Sequence, residues 1–184
     1  MTSMETERLL IRNFRNSDAD ALAEMMTCYA ASEMAAYDQP WPTSLEEIRQ
    51  VTAWFASGDS YLAVCLKATE RFIGFVALNP EGQADQRTFN LGYVFHVDYH
   101  GKGYASEACR AVLVHAFEHY RADRIVTGTA ALNRASCRLL ERLGFQKVAE
   151  SSTSFRNTPD GRPIEFLGYT FELRGENYAR TDDG

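Results

Sequence analysis

The residues most able to do chemistry in this 184-residue chain lie in a glycine-containing turn between an apolar run and an amphipathic segment. The apolar run ends near Val97, and Gly101 and Gly103 then flank Lys102. From Gly103 onward apolar residues recur every three or four positions, which predicts a helix with one buried face. The first turn of a helix leaves four backbone N–H groups without intrahelical partners, and the helix dipole favours an anion there. The turn therefore predicts a phosphate site, to which Lys102 adds a positive charge.

A simpler interpretation of the same turn is that the two glycines only permit a sharp bend, with Lys102 solvated. The wider segment favours a ligand site, because His100 to Ala105 (His-Gly-Lys-Gly-Tyr-Ala) resembles the Gln/Arg-x-x-Gly-x-Gly/Ala signature of the GNAT superfamily of acyl-CoA-dependent N-acyltransferases. The following Ser106-Glu107-Ala108 resembles the RimJ/RimL-like ribosomal-protein acetyltransferase branch of that superfamily. His100 stands where the family usually has Gln or Arg.

The resemblance implies acetyl-CoA as cosubstrate, with the pyrophosphate held mostly by main-chain N–H groups of the turn. A main-chain N–H in the stretch from Phe95 to Val97 would donate to the oxygen of the transferring acyl group. The residues expected to bind the cofactor are Phe95, Val97, His100, Gly101, Lys102, Gly103, Tyr104, Ala105, Asn133 and Ser136.

A second informative segment runs from Asn133 to Phe145 and predicts a short helix with Asn133 as its N-cap and Gly144 as its left-handed C-cap. It resembles the family's Asn-x-x-Ser…Leu-Gly-Phe segment, in which the asparagine also contacts the pantetheine arm. Many GNAT enzymes protonate the departing thiolate with a tyrosine whose position here is Leu140. The RimJ/RimL-like branch instead offers Ser136 as the catalytic acid.

The proton on an incoming amine needs an acceptor, and the side-chain candidates are few. His96 is the only side chain beside the proposed centre with an unperturbed pKa near neutrality, so it is a candidate catalytic base. An exposed or hydrogen-bonded structural histidine is the alternative. Glu107, Glu150 and Tyr93 are further candidates. Water also suffices for an α-amine, whose ordinary pKa is about 8.

Hydrophobic periodicity and turn signals predict the elements that position these residues. Helices are expected after Ser17, Ser44, Gly103 and Asn133. Strands are expected at Arg8–Arg12, Tyr61–Leu66, Phe72–Leu78, Thr88–Val97 and Arg124–Ala131, with a final hairpin of Gln146–Phe155 and Ile164–Leu173. The order indicates a mixed α/β fold of the α+β type. It matches the GNAT fold, a central, twisted, mostly antiparallel sheet of about seven strands flanked by helices.

One GNAT acetyltransferase domain is expected to span residues 1–184, with its core at about 8–173 and a frayed tail at 175–184. The acceptor should lie against the irregular segments Tyr29–Pro42 and Arg156–Pro163, since loops often carry specificity. Candidates for an apolar wall and for attraction of a cationic amine are Tyr37, Trp41, Phe155, Glu33, Asp38 and Asp160. The same residues suit ordinary core and surface positions equally well.

The amino-acid composition limits the classes of function that the chain can have. The chain is 45% hydrophobic and 24% charged, without an apolar run long enough to span a membrane or a basic, apolar signal sequence, so a cytoplasmic location is expected. A formal net charge of −6 argues against direct nucleic-acid binding. The cysteines are widely separated, which predicts buried thiols and no metal site. They are Cys28, Cys65, Cys109 and Cys137. A monomer or a homodimer is expected.

These observations predict an N-acetyltransferase that moves acetyl from acetyl-CoA directly to a primary amine, either a protein N-terminal α-amine or a small-molecule amine. The alternative is a non-catalytic acyl-CoA-binding sensor or partner module. A dinucleotide-binding Rossmann fingerprint does not fit, because Ser106 occupies its third glycine position.

Overall fold

The computed structural model describes residues 3–82 and 87–178. Within them the strands are β1 (Ser3–Glu5), β2 (Leu9–Asn13), β3 (Tyr61–Leu66), β4 (Phe72–Glu81), β5 (Thr88–Phe95), β6 (Arg124–Ala130), β7 (Gln146–Thr153) and β8 (Phe166–Arg174). The α-helices are α1 (Ala19–Ala30), α2 (Leu45–Ala56), α3 (Tyr104–Glu118), α4 (Arg134–Arg142) and α5 (Gly175–Tyr178). Short 3-10 turns cover Asn16–Asp18, Glu33–Tyr37 and Val97–Tyr99.

The strands form one eight-stranded sheet in the order β1-β2-β3-β4-β5-β6-β8-β7. The pairs β1–β2, β2–β3, β3–β4, β6–β8 and β7–β8 are antiparallel. In contrast, β5 and β6 are parallel, and their register joins Thr88–Asn90 to Arg124–Val126. The mixed, mostly antiparallel sheet flanked by helices confirms the predicted fold class. The strand that was not predicted is β1, because three residues are too few to show an alternating pattern.

The helix boundaries follow from local capping chemistry. Ser44 has extended backbone angles, and its side chain accepts a hydrogen bond from the N–H of Glu47, so α2 begins where the capping box predicts. Asn133 accepts from the N–H of Ser136 in the same way and starts α4. Past α4, Gly144 takes a φ of +89°, the left-handed conformation predicted for it.

The chain forms two compact units. The first consists of residues 1–32, 41–79 and 92–114, and the second of 33–40, 80–91 and 115–184. Each is assembled from separated segments, and three of the dividing points fall inside β4, β5 and α3. The single domain expected from the sequence stays a prediction.

The first unit has an aromatic and aliphatic core. Its buried cluster contains Phe14, Leu22, Met25, Met26, Ile48, Phe55, Ala63 and Phe75. Trp41 packs against this cluster, with its ring 5.9 Å from that of Phe75 and 6.5 Å from that of Phe55. Trp41, which is half-buried, therefore packs on the core of this unit, and its place in an acceptor wall stays a prediction.

The second unit contains the β6–β8–β7 part of the sheet and the C-terminal turn. The sequence predicts a frayed tail from Gly175, but Gly175–Tyr178 form a helical turn. Its Tyr178 ring stacks on Phe117 at 4.7 Å, and the Gly175 N–H donates to the carbonyl of Asp123. The remaining tail residues, 179–184, lie outside the described residues.

The cysteines differ in exposure more than the sequence suggests. Cys65 and Cys109 are buried as predicted, but Cys28 is exposed and Cys137 is half-buried. Burial raises the pKa of the Cys109 thiol far above its ordinary value, because no nearby charge offsets the loss of water. Cys109 therefore acts as a small apolar core residue.

Candidate functional site

The turn before α3 has the geometry that an anion site needs. Gly101 and Gly103 have φ angles of +73° and +83°, where a residue with a side chain is strained. A Cβ placed on Gly101 would meet no atom within 4 Å, so the backbone there faces open space. The N–H of Glu107 donates to Gly103 at 3.0 Å, which leaves the N–H groups of the residues between them without intrahelical acceptors. A phosphate group fits this arrangement.

His100 closes the turn back onto β5. Its Nε2 lies 2.8 Å from the carbonyl oxygen of Phe95, and because a carbonyl only accepts, Nε2 carries the hydrogen. The backbone N–H of His100 donates to Val97. His100, which departs from the family signature, therefore holds the turn close to the end of β5. Its side chain bonds to Phe95, and its backbone N–H bonds to Val97.

Lys102 holds its ammonium group close to the turn. The Nζ donates to the carbonyl of Asp98 at 2.8 Å and lies 5.4 Å from the ring centroid of Tyr99. An ammonium group has three donors, so this carbonyl uses one of them. Lys102 thus supplies a positioned positive charge at the turn.

Arg8 and Glu107 form a support for the turn that sequence reasoning missed. Glu107 accepts from the hydroxyl of Thr6 and the N–H of Arg8, and it pairs with the Arg8 guanidinium at 2.6 Å. Arg8 also donates to the carbonyl of Lys102 at 3.0 Å and lies over the Tyr104 ring at 4.5 Å. Arg8 and Glu107 are separated by 99 positions, so no local pattern signals their contact.

This network changes the role expected of Glu107. Burial would raise the pKa of its carboxyl group, but hydrogen bonds from Thr6 and Arg8 outweigh burial, so the pKa is lowered. A carboxylate held in its charged form by three donors is a weak proton acceptor. Glu107 therefore anchors the turn to the N-terminal segment.

The end of β5 supplies the predicted backbone donors for an acyl oxygen. The N–H of His96 donates to the carbonyl of Ile73 in β4 at 2.9 Å and is committed to the sheet. Successive N–H groups along an extended chain point to opposite edges, so those of Phe95 and Val97 do not share this direction. Phe95 and Val97 therefore remain the candidate donors.

The His96 ring is fixed by its own helix-capping bond. Its Nδ1 accepts from the N–H of Asp98 at 3.3 Å, and the side chain is only 10% exposed. The neutral ring then carries its hydrogen on Nε2, the nitrogen that a base would need to present unprotonated. To accept a proton on Nε2, the neutral ring would first have to carry its hydrogen on Nδ1, which would break the hydrogen bond from the Asp98 N–H. Within the described residues, Nε2 has no hydrogen-bond partner.

In the second unit, α4 presents its predicted polar residues at its first turn. The Oδ1 of Asn133 accepts from the N–H of Ser136 at 3.1 Å, and Ser136 is half-buried. Leu140 occupies the family's tyrosine position. Its side chain is completely buried and carries no acid group. Arg134 and Arg138 are exposed. Ser136 is thus the hydroxyl that this helix offers.

The predicted acceptor residues of the second unit separate into two groups. Tyr37 and Phe155 both pack on Phe166, with ring centroids 5.4 and 5.5 Å away, and the Arg156 guanidinium donates to the carbonyl of Asp38. The segment around Tyr37 and the final hairpin loop are therefore brought together. Two acidic candidates have local partners. Asp160 pairs with Arg162, and Glu150, predicted as a possible base, pairs with Lys147 at 3.0 Å.

Within residues 3–82 and 87–178, no group of three or more His, Cys, Asp or Glu side chains is arranged to hold a metal ion. In that part of the chain no helix is both long and apolar enough to cross a membrane. The expected cytoplasmic location and oligomeric state stay predictions.

Comparisons with known proteins agree with this geometry. Residues 8–146 match the family model described as the acetyltransferase (GNAT) domain. The uncharacterized N-acetyltransferase p20 of Bacillus licheniformis is 28% identical over 185 residues, covering 97% of this chain and 99% of that protein.

Two solved structures share the fold. An acetyltransferase of the GNAT family from Bacillus anthracis aligns with a TM-score of 0.78 at 24% identity, covering 95% of this chain and 99% of that one. The ribosomal-protein-S5-alanine acetyltransferase of Vibrio fischeri aligns with a TM-score of 0.79 at 19% identity, covering 97% and 99%. The chain belongs to the GNAT family and is an acetyl-CoA-dependent acetyltransferase.

Proposed function

We propose that this acetyltransferase moves acetyl directly from acetyl-CoA to a primary amine, either the α-amine of a protein N-terminus or a small-molecule amine. The observation that carries the proposal is the turn from Gly101 to Ala105, whose left-handed glycines open the backbone at the N-terminus of α3. The structural likeness to a ribosomal-protein acetyltransferase supports a peptide α-amine as the first acceptor class to test.

The main-chain N–H groups from Gly101 to Ala105 would bind the pyrophosphate, and the ammonium of Lys102 would add a charge. The hydrogen bonds from His100 to Phe95 and from Arg8 to Lys102 support this role, because they hold both sides of the turn before a ligand arrives. In the second unit, Asn133 would contact the pantetheine arm, as the family resemblance implies. Preorganised donors avoid the cost of ordering a loop on binding.

When bound, acetyl-CoA supplies an acetyl group activated as a thioester, so that a carbon–nitrogen bond forms as the carbon–sulfur bond breaks. A backbone N–H of Phe95 or Val97 would donate to the acyl oxygen, where one such donor contributes about 3–4 kcal/mol. The Ser136 hydroxyl would give its proton to the departing sulfur and take one back from water. The proton released by the amine passes to water, which suffices for an α-amine of pKa about 8.

His96 receives no proton-transfer step in this proposal. Its Nδ1 accepts from Asp98, and its Nε2 carries the hydrogen in the neutral ring. The catalytic role expected for His96 from the sequence stays a prediction, and a pH profile of kcat in a His96 variant is the measurement that addresses it.

The proposed reaction is tested by measuring coenzyme A thiol release from acetyl-CoA with a panel of amines. The panel contains peptides with a free N-terminus, polyamines, free amino acids and aminoglycosides. Each peptide is paired with the same peptide carrying a blocked N-terminus, which separates an α-amine from a lysine side chain. We expect coenzyme A release with at least one amine class. If that class is the peptides, we expect no release with the matching blocked peptide. Binding of acetyl-CoA without release for any amine contradicts the transfer step, and failure to bind contradicts the role of the turn.

The Ser136 role is tested in the same assay. We expect Ser136→Ala to lower kcat by about tenfold to a hundredfold, because a general acid is lost, while acetyl-CoA affinity changes little. Ser152→Ala, at an exposed position on β7, is the matched control and should leave kcat unchanged. Equal kcat values for Ser136→Ala and Ser152→Ala would show that Ser136 takes no part in the chemical step.

A further inference from the structure

A cavity of about 410 Å³ lies within the first unit, beside the segment that leads into the glycine turn. Its lining residues are Ala21, Glu24 and Met25 of α1, Arg71 and Phe72 at the start of β4, and His96 and Tyr99. The volume falls in the range of sites that hold small organic molecules. Its lining combines apolar and ionisable side chains, which favours an amphipathic ligand.

His96 lines this cavity, and its Nε2, which is closed to solvent, lies 3.8 Å from Oε1 of Glu24. The side chain is nine-tenths buried, and Nε2 has no hydrogen-bond partner in the described residues. The ring cannot turn without losing the bond from the Asp98 N–H to Nδ1. Buried polar groups in folded proteins nearly always have a partner, so a fixed donor in the wall of a cavity is a candidate contact for a ligand that enters it. Such a ligand must present a hydrogen-bond acceptor.

A guanidinium adds positive charge beside this donor. Glu24 Oε1 lies 3.8 Å from Arg71 Nη2 and 3.8 Å from His96 Nε2. Both distances exceed a hydrogen bond, so the carboxylate lies between two donors without satisfying either. The Glu24 side chain is 59% exposed and can turn toward solvent. An anion of the right size can then take its place and hydrogen-bond to both donors.

We propose that this cavity binds a small organic carboxylate. The carboxylate oxygens accept from His96 Nε2–H and the Arg71 guanidinium, and the apolar part of the ligand contacts Met25 and Phe72. Charge-assisted hydrogen bonds of this kind are stronger than neutral ones, and a guanidinium matches a carboxylate in shape. The proposal concerns a second ligand and requires neither acetyl-CoA nor an amine.

The test uses benzoate as the probe, titrated against the full-length chain without acetyl-CoA and followed by ligand-detected NMR. Benzamide has the same shape without the charge, and benzylamine carries the opposite charge. We expect saturable benzoate binding and at least about tenfold weaker binding of benzamide, because a hydrogen bond to a charged group is replaced by a neutral one. Equal affinities for benzoate and benzamide, or no benzoate binding, overturn the proposal.

Three variants assign the binding to the residues named. His96→Asn keeps a capping acceptor but removes the cavity donor, and it should weaken benzoate binding by about tenfold. Arg71→Gln should weaken it by about threefold, as expected for a partly exposed ion pair. Glu24→Gln should strengthen it by a similar factor, since a like charge is removed.

Arg49→Gln is the matched control, because Arg49 is exposed on α2 and the substitution changes the net charge as Arg71→Gln does. We expect its benzoate affinity to equal that of the parent. Thermal unfolding of each variant verifies that it is folded, and Arg71→Gln remains informative if His96→Asn is not. Weaker benzoate binding in Glu24→Gln, or tighter binding of benzylamine than of benzoate, would overturn the proposal. Tighter benzylamine binding would show that the cavity prefers a cation.

Discussion

Glu107 stabilises the folded state through donors from the N-terminal segment. Its carboxylate accepts from Thr6 and from the backbone and guanidinium of Arg8, and its side chain is 18% exposed. These bonds lower the pKa of Glu107 despite its burial. A carboxyl group whose pKa is lower in the folded state stabilises that state above its unfolded pKa of about 4.3. The contribution is lost as the pH falls through the folded pKa.

We predict that Glu107→Gln lowers the free energy of unfolding at pH 7 by about 1–2 kcal/mol, because charged hydrogen bonds and a partly exposed ion pair are weakened. Urea unfolding at pH 7 and at about pH 3 measures the effect, and the difference from the parent should shrink at the lower pH as Glu107 of the parent is protonated. Glu7→Gln, at an exposed position, is the control and should change little. A difference that is the same at both pH values would contradict this account.

Asp18 is the buried carboxylate of the first unit. It accepts from both terminal nitrogens of Arg12 and from the N–H of Arg15, each at 2.8 Å, and is 6% exposed. The hydrogen bond to Asp18 raises the pKa of Arg12, which keeps the guanidinium charged. Removing one partner of such a pair leaves the other buried without compensation.

We predict that Asp18→Asn lowers the free energy of unfolding by about 3 kcal/mol, because the Arg12 guanidinium loses its counter-ion. Urea unfolding at pH 7 measures the loss. Asp20→Asn, at an exposed position in the first turn of α1, should cost less than about 1 kcal/mol. Similar losses for Asp18 and Asp20 would mean that the pair with Arg12 contributes little.

At the scale of elements, the turn before α3 combines a strained backbone with tethers on both sides. Gly101 and Gly103 supply the left-handed conformations. His100 ties the turn to β5, and Arg8 ties it to the N-terminal segment. A ligand phosphate at this position meets a backbone that is already ordered, which favours affinity.

We predict that Gly101→Ala weakens acetyl-CoA binding by about tenfold and destabilises the fold by about 1–2 kcal/mol, since a Cβ is strained at a φ of +73° and occupies the open space above the turn. Calorimetric titration with acetyl-CoA and urea unfolding measure the two effects. Gly58→Ala is the matched control, because a Cβ there meets no atom within 4 Å and no left-handed φ is required. An unchanged acetyl-CoA affinity in Gly101→Ala would argue against phosphate binding at the turn.

At the scale of the whole molecule, the two tryptophans both belong to the first unit. Trp41 packs on its core, and Trp54 lies 5.4 Å from Phe55 on α2. Tryptophan fluorescence therefore reports on the first unit, and far-UV circular dichroism reports on the helices and strands of both. The two signals together test whether the chain unfolds as the single domain expected from its sequence.

We predict that urea unfolding gives one transition with the same midpoint by tryptophan fluorescence and by far-UV circular dichroism, as two-state unfolding requires. A fluorescence midpoint that differs from the circular dichroism midpoint would show that the units unfold separately. The control is reversibility, verified by refolding from high urea, because aggregation also separates the two signals.

Much of the fold could be predicted from residues close together in the chain. The strand Tyr61–Leu66 matches its prediction at both ends, and the caps at Ser44 and Asn133 lie where their side chains predict. The glycine turn was predicted as well, since left-handed conformations and free helix N–H groups are set within a few residues. The positions of individual side chains could be predicted less closely. Trp41 suited either an acceptor wall or the core, and the structure packs it against the core of the first unit.

Short stretches of chain were enough to predict the order of the main strands and helices, the glycine turn at the N-terminus of α3 and the family. The folded chain was needed to show that Glu107 anchors Arg8, that His100 donates to Phe95 and that His96 lines a cavity. Residue type shows what a side chain can donate or accept. Which partner it meets depends on strand pairing and helix packing between distant segments, and no local pattern records that.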